Sequence, residues 1–78
     1  MAKIYIVTRK VFHMEIDDGP NCVETPVCCF IDDVKSAEEK YTEIASHDEY
    51  WGIYGYICTS LIEMDPNVER SKVLKCSI

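Results

Sequence analysis

From Lys3 to about Met14 the chain is dominated by β-branched and aromatic residues (Ile4, Tyr5, Ile6, Val7, Thr8, Val11 and Phe12), a pattern that predicts a strand. Side chains alternate along a strand, so Ile4 and Ile6 belong to one face and Tyr5, Val7 and Val11 to the other. Asp17-Asp18-Gly19-Pro20-Asn21 concentrates turn chemistry: glycine supplies positive φ and proline a fixed φ. A second strand is expected from about Cys22 to Ile31, with Val27, Cys29 and Ile31 alternating against Cys28 and Phe30. Pro26 cannot donate a ladder hydrogen bond, which predicts a bulge there or an edge position for this strand.

The period then changes. Val34, Ala37, Tyr41, Ile44 and Ala45 fall on one stripe at helical spacing. Asp32 or Asp33 can cap the start, or Ser36 with Glu39 if the helix begins later. The stripe fades near His47, and Gly52 and Gly55 close the helical option. Ile53 to Met64 predicts a third strand, with Tyr54, Tyr56, Cys58 and Ile62 opposite Ile53, Ile57 and Leu61. After an Asp65-Pro66-Asn67 turn, Arg70 to Cys76 predicts a short fourth strand whose Lys72 and Lys75 suit an exposed edge. The order β-β-α-β-β gives an α+β class for a single domain spanning 1–78. Its expected form is an antiparallel sheet of three to four strands with one helix on one face.

Size narrows the function classes. A chain of 78 residues builds a thin core. It has little room for a substrate cavity of about 300 Å³ or more. No apolar run approaches the ~18 residues of a membrane span. The opening Met1–Val7 stretch is too short for a secretory leader, so the expected address is the cytoplasm.

Charge sharpens the picture. The net charge is −6, yet all 14 acids lie between residues 13 and 69, where the only cations are Lys35 and Lys40. Lys3, Arg9 and Lys10 at one end and Arg70, Lys72 and Lys75 at the other are basic. If the first and last strands were neighbours, these ends would merge into one basic stripe. The acidic body argues against direct nucleic-acid binding even so.

Candidate chemistry is sparse. Cys22, Cys28, Cys29, Cys58 and Cys76 read as small buried hydrophobes in a reducing compartment. Cys28 and Cys29 are adjacent on a strand and point to opposite faces, and the paired spacings of zinc sites are missing. The two histidines, His13 and His47, sit at the ends of elements with no positional link to a cysteine. The glycines form neither a Walker loop nor a dinucleotide fingerprint. The expectation is therefore a non-enzyme with no metal and no cofactor. A cysteine-dependent metal or redox role, and a small nucleic-acid-binding domain using the basic strand ends, are the alternatives.

Two surfaces compete for a binding role. Asp32, Asp33, Glu38, Glu39, Glu43, Asp48 and Glu49 lie on or beside the polar side of the helix. Such a patch is ordinarily a solvated surface, or it steers the domain onto a basic protein surface. The stretch Tyr50-Trp51-Gly52-Ile53-Tyr54-Gly55-Tyr56 is the densest aromatic segment, and Trp and Tyr dominate interface hot spots. Tyr56, with Trp51 beside it, fits the core, whereas Tyr50 and Tyr54 fit exposed contacts. The candidate partner-binding set is Glu38, Glu39, Glu43, Asp48, Glu49, Tyr50, Trp51 and Tyr54.

The opening Lys3-Ile4-Tyr5-Ile6-Val7-Thr8, Phe30 before an acidic turn, and Ser36-Ala37-Glu38-Glu39-Lys40-Tyr41 together resemble small phage and prophage proteins of β-β-α-β plan. The resemblance covers about the first half of the chain and transfers no functional residue. It implies a mobile-element inhibitor in the manner of anti-CRISPR proteins, which bind and block a host defence complex. The implied partner is a larger protein or protein–nucleic acid complex. Homodimerisation through an open sheet edge is compatible with that role.

Overall fold

The computed structural model describes residues 2–15 and 19–77. Strands β1 (Ile4–Glu15) and β2 (Gly19–Ile31) precede helix α1 (Val34–Ala45), and β3 (Glu49–Tyr50), β4 (Gly55–Asp65) and β5 (Arg70–Cys76) follow it. All pairings are antiparallel, so the fold is α+β as expected. The sheet order is β2-β1-β4, and the free side of β4 is shared end to end by β3 and β5.

Two boundaries depart from expectation. The second strand starts at Gly19 rather than Cys22, because Gly19, Pro20 and Asn21 already pair with Glu15, Met14 and His13. Asp17 and Asp18 of the expected turn lie outside the described residues. The third strand starts at Gly55 rather than Ile53, and a two-residue strand, β3, raises the total to five. Two residues are too few for any alternation to register, so β3 left no periodic signal.

The Pro26 expectation is met in both respects: β2 is an edge strand, and its register slips between Val7 and Thr8, leaving Val27 as the extra residue. A second slip, between Leu61 and Ile62, makes Leu74 the extra residue of β5. The helix begins where Asp33 allows it. Its carboxylate accepts the Ser36 backbone N–H at 3.1 Å, an N-cap that holds the Asp33 carboxyl below its usual range. Asp32 occupies the left-handed region (φ 56°), which Asp tolerates better than most residues. Two 2.8 Å bonds fix it there: its N–H donates to the Lys3 carbonyl, and its carboxylate accepts from the Lys3 N–H.

Register sorts the side chains into two faces. Toward the helix point Tyr5 and Val7 of β1, Cys28 and Phe30 of β2, and Leu61 of β4. Ala37, Tyr41 and Ile44 close over them from α1, with Leu74 from the β5 bulge, and Val7, Ala37 and Leu61 are fully buried. A stripe of one Ala and larger neighbours lets the helix lie close to the sheet. Helix and core occupy one end of an elongated molecule of 47 × 25 × 16 Å, while the β1–β2 ribbon runs on beyond them. The opposite face carries no second layer among the described residues.

Candidate functional site

Following the register across the open face gives five rows. At the far end Cys22, Phe12, Tyr56 and Tyr50 lie side by side, the Phe12 and Tyr56 rings stacked at 5.2 Å. Next come Glu24, Lys10 and Cys58, then Pro26, Thr8, Ser60 and Cys76. The last two rows are almost wholly aliphatic: Cys29, Ile6, Ile62 and Val73, then Ile31, Ile4, Met64 and Ser71.

This layout corrects the reading of the thiols as core. Cys22, Cys29 and Cys76 are exposed, Cys28 is half-buried and only Cys58 is buried. Four of the five alternate onto the open face, and no helix covers it. Cys28 and Cys29 do point to opposite faces. Burial pushes the Cys58 and Cys28 thiols above the ordinary range, which favours their neutral form. Among the described residues no three of His, Cys, Asp and Glu gather in a way that would hold a metal ion.

The middle of the open face is polar. Lys10 meets the Glu24 carboxylate at 3.7 Å, and that charge raises its pKa. Ser60 donates to the Cys76 sulfur at 3.5 Å. The Thr8 hydroxyl is buried with no partner, a cost of about 1–3 kcal/mol.

The basic ends do not merge, because β4 separates β1 from β5. Lys3 pairs with Glu63 of β4 at 3.4 Å, and Lys10 pairs with Glu24 on the other side. On the helix, Glu38, Glu39 and Glu43 are exposed, but cations stand among them. Lys40 meets Glu43 at 3.3 Å. Lys35 and Lys75 line a shallow groove of about 400 Å³ with Glu38, Glu39 and Thr42, and Lys75 also lies 5.9 Å from the Tyr41 ring centre. Asp48 is turned inward, where it accepts the hydroxyl of fully buried Thr59 at 2.8 Å. Thr59 also receives the chain end: its N–H donates to Ser77 Oγ at 2.8 Å and its carbonyl accepts the Ser77 N–H at 2.9 Å. Asp48 therefore ties the helix–strand connection to β4.

The stretch from Tyr50 of β3 to the start of β4 exposes a run of large side chains. Tyr50, Ile53 and Tyr54 are 77%, 81% and 69% exposed, and Trp51, expected beside Tyr56 in the core, is 43% exposed. Trp51 lies on the turn rather than in the strand, so alternation does not carry it under the helix.

The turn is nonetheless held firmly. The Trp51 N–H donates to the Gly55 carbonyl at 2.8 Å, and the Tyr54 N–H donates to the Trp51 carbonyl at 3.3 Å across the single 3-10 turn Gly52–Tyr54. Gly55 closes it with φ 148° and ψ −173°, a region essentially reserved for glycine. Any Cβ there would run into the Phe12 carbonyl oxygen. Four large apolar side chains thus stand in water on a preorganised turn, with exposed Glu49 alongside. Ile53, which sequence reasoning did not single out, is the most exposed of the four. A flanking Gly on each side of the Ile53-Tyr54 pair was its only signal.

No helix among the described residues is long and apolar enough to cross a membrane. Comparison with family models, curated proteins and solved structures found no match to this chain.

Proposed function

We propose that this chain is a non-enzymatic binding protein that engages a larger partner through the aromatic turn Tyr50-Trp51-Gly52-Ile53-Tyr54. The observation that carries this reading is the exposure of four large apolar side chains on a turn fixed by Gly55 and two backbone hydrogen bonds. Large rigid side chains lose little entropy on binding, and Trp and Tyr are the usual anchors of interfaces. Glu49 beside the turn and Glu38, Glu39 and Glu43 on the helix favour a partner with a basic rim. Occlusion of a nucleic-acid-binding surface in a host defence complex is the form that the acidity and the resemblance to phage proteins support.

Affinity capture from lysate of the cells that carry the gene tests the reading. The wild-type chain retains a defined partner in stoichiometric amount. A Tyr50→Ser/Ile53→Ser/Tyr54→Ser variant with an unchanged circular dichroism spectrum loses it. Equal retention by the two proteins would refute the role of the turn. Charge reversal of Glu38, Glu39 and Glu43 slows association at low salt; an unaltered salt dependence would remove the acidic component.

A further inference from the structure

The open face of the sheet carries a role separate from the aromatic turn. We infer that it is a homodimer interface, on which a second copy of this chain packs face to face through the same five rows.

Three observations converge on this occupant. The first is composition. Two adjacent rows hold Ile4, Ile6, Ile62, Met64, Ile31, Cys29 and Val73, and Ile31 and Val73 are 66% and 59% exposed. This aliphatic band lies on a fold whose covered face has its own complete core. A contiguous apolar patch of this kind marks an interaction site.

The second is area. β1 and β4 stay in register from Ile4 opposite Met64 to His13 opposite Gly55, and β2 and β5 or β3 flank them. At about 3.4 Å per residue and about 4.8 Å per strand, ten positions by four strands give a footprint of about 650 Å². Thr8, Cys58 and Ser60 in the middle of that footprint are already buried, so a second copy gains its area from the rows on either side of them. That is the range of a weak dimer rather than the ~800 Å² per partner of a standard stable one.

The third is charge. Among the described strand positions of this face the charged residues are Lys10 and Glu24, and they neutralise one another at 3.7 Å. A copy meeting this face finds no net field. Glu38, Glu39 and Glu43 lie on the helix across the sheet. Two sheets packed about 10 Å apart hold the two acidic helices on opposite outer surfaces, beyond the Debye length of about 8 Å. Contact through the helices would instead press acid against acid. Such an interface is isologous, the commonest kind in homodimers.

The exposed thiols supply a test that needs no mutation. Cys29 sits in the aliphatic band, so a second copy shields it, whereas a copy added along the β2 edge leaves its side chain on an open face. Sedimentation velocity on the intact chain is expected to give about twice the 9.0 kDa chain mass at tens of micromolar. Alkylation of Cys29 with iodoacetamide, followed by mass spectrometry, should slow at least fivefold as concentration rises through that transition. Ile31→Lys/Val73→Lys, at two exposed positions, should sediment as a monomer with an unchanged circular dichroism spectrum. A wild-type chain that stays at 9.0 kDa up to millimolar concentration overturns the proposal. So does a dimer whose Cys29 alkylates at a concentration-independent rate, which would place the contact at an edge. If the double variant fails to fold, the Cys29 rates alone decide.

Discussion

The two faces of this sheet are built from the same strands and differ in one circumstance: a twelve-residue helix lies on one of them. On the covered face Val7 and Leu61 reach full burial. On the open face their chain neighbours Ile6 and Ile62 stay half-buried, although they are as apolar. For these neighbours burial follows the helix above them rather than their hydrophobicity, although Thr8, Cys58 and Ser60 in the middle of the open face are also buried. Apolar side chains left without a layer are free for a different use, association.

The largest expected contrast comes from truncating neighbours on opposite faces. Leu61→Ala opens a cavity in the closed core and should cost about 2–5 kcal/mol in urea unfolding of the monomer. Ile62→Ala on the open face should cost well under half as much under the same conditions. Equal losses would mean that the open face is sealed by something within the chain.

Gly55→Ala comes next. Its backbone region costs a non-glycine residue about 1–3 kcal/mol, and the added Cβ must displace the Phe12 carbonyl. Chemical denaturation should show at least that loss. Gly52→Ala, with open space around the Cβ position and φ 68°, should lose less. Thr8→Val runs the other way. It removes a buried hydroxyl with no partner and should be neutral or stabilising by about 1 kcal/mol. A clear destabilisation would show that the hydroxyl has a partner in solution.

The smallest effects are those of pH. Burial raises the Cys58 and Cys28 thiols, so the folded chain binds their protons more tightly than the unfolded chain. Their contribution is fully present below the unfolded thiol pKa of about 8.5 and is lost as pH climbs through the folded values. Asp33 acts at the acid end. Its carboxyl is lowered by the bonds from Ser36, so its contribution is present above the unfolded value of about 3.9 and is lost as pH falls through the folded one. Thermal melts of Cys58→Ala and Asp33→Asn should flatten the alkaline and acid limbs respectively.

Much of this architecture was legible in the chain. Helical spacing located α1, and Asp33 was one of its three expected caps. Alternation assigned Tyr5 and Val7 to one face and Ile4 and Ile6 to the other, and Pro26 predicted a bulge or an edge, of which the strand has both. What alternation could not convey is which face receives the helix, and the thiols were misjudged for that reason. Strand order was equally hidden, so whether the basic ends are neighbours stayed open in sequence, and β4 stands between them. Asp48 reads in sequence as one more surface acid, and only the fold brings Thr59 to it. In the candidate site, Tyr50 and Tyr54 were placed correctly as exposed, whereas Trp51 and Ile53 depended on a turn too short to show a period.

Cys28 and Cys29 allow the contrast between faces to be measured at a single point, since one peptide bond separates a thiol under the helix from a thiol on the open face. Residue-resolved alkylation of the native monomer at low micromolar concentration reads both rates in one experiment. The account predicts that Cys29 reacts at least tenfold faster than Cys28. Equal rates, or faster modification of Cys28, would contradict the division of this sheet into a closed face and an open one.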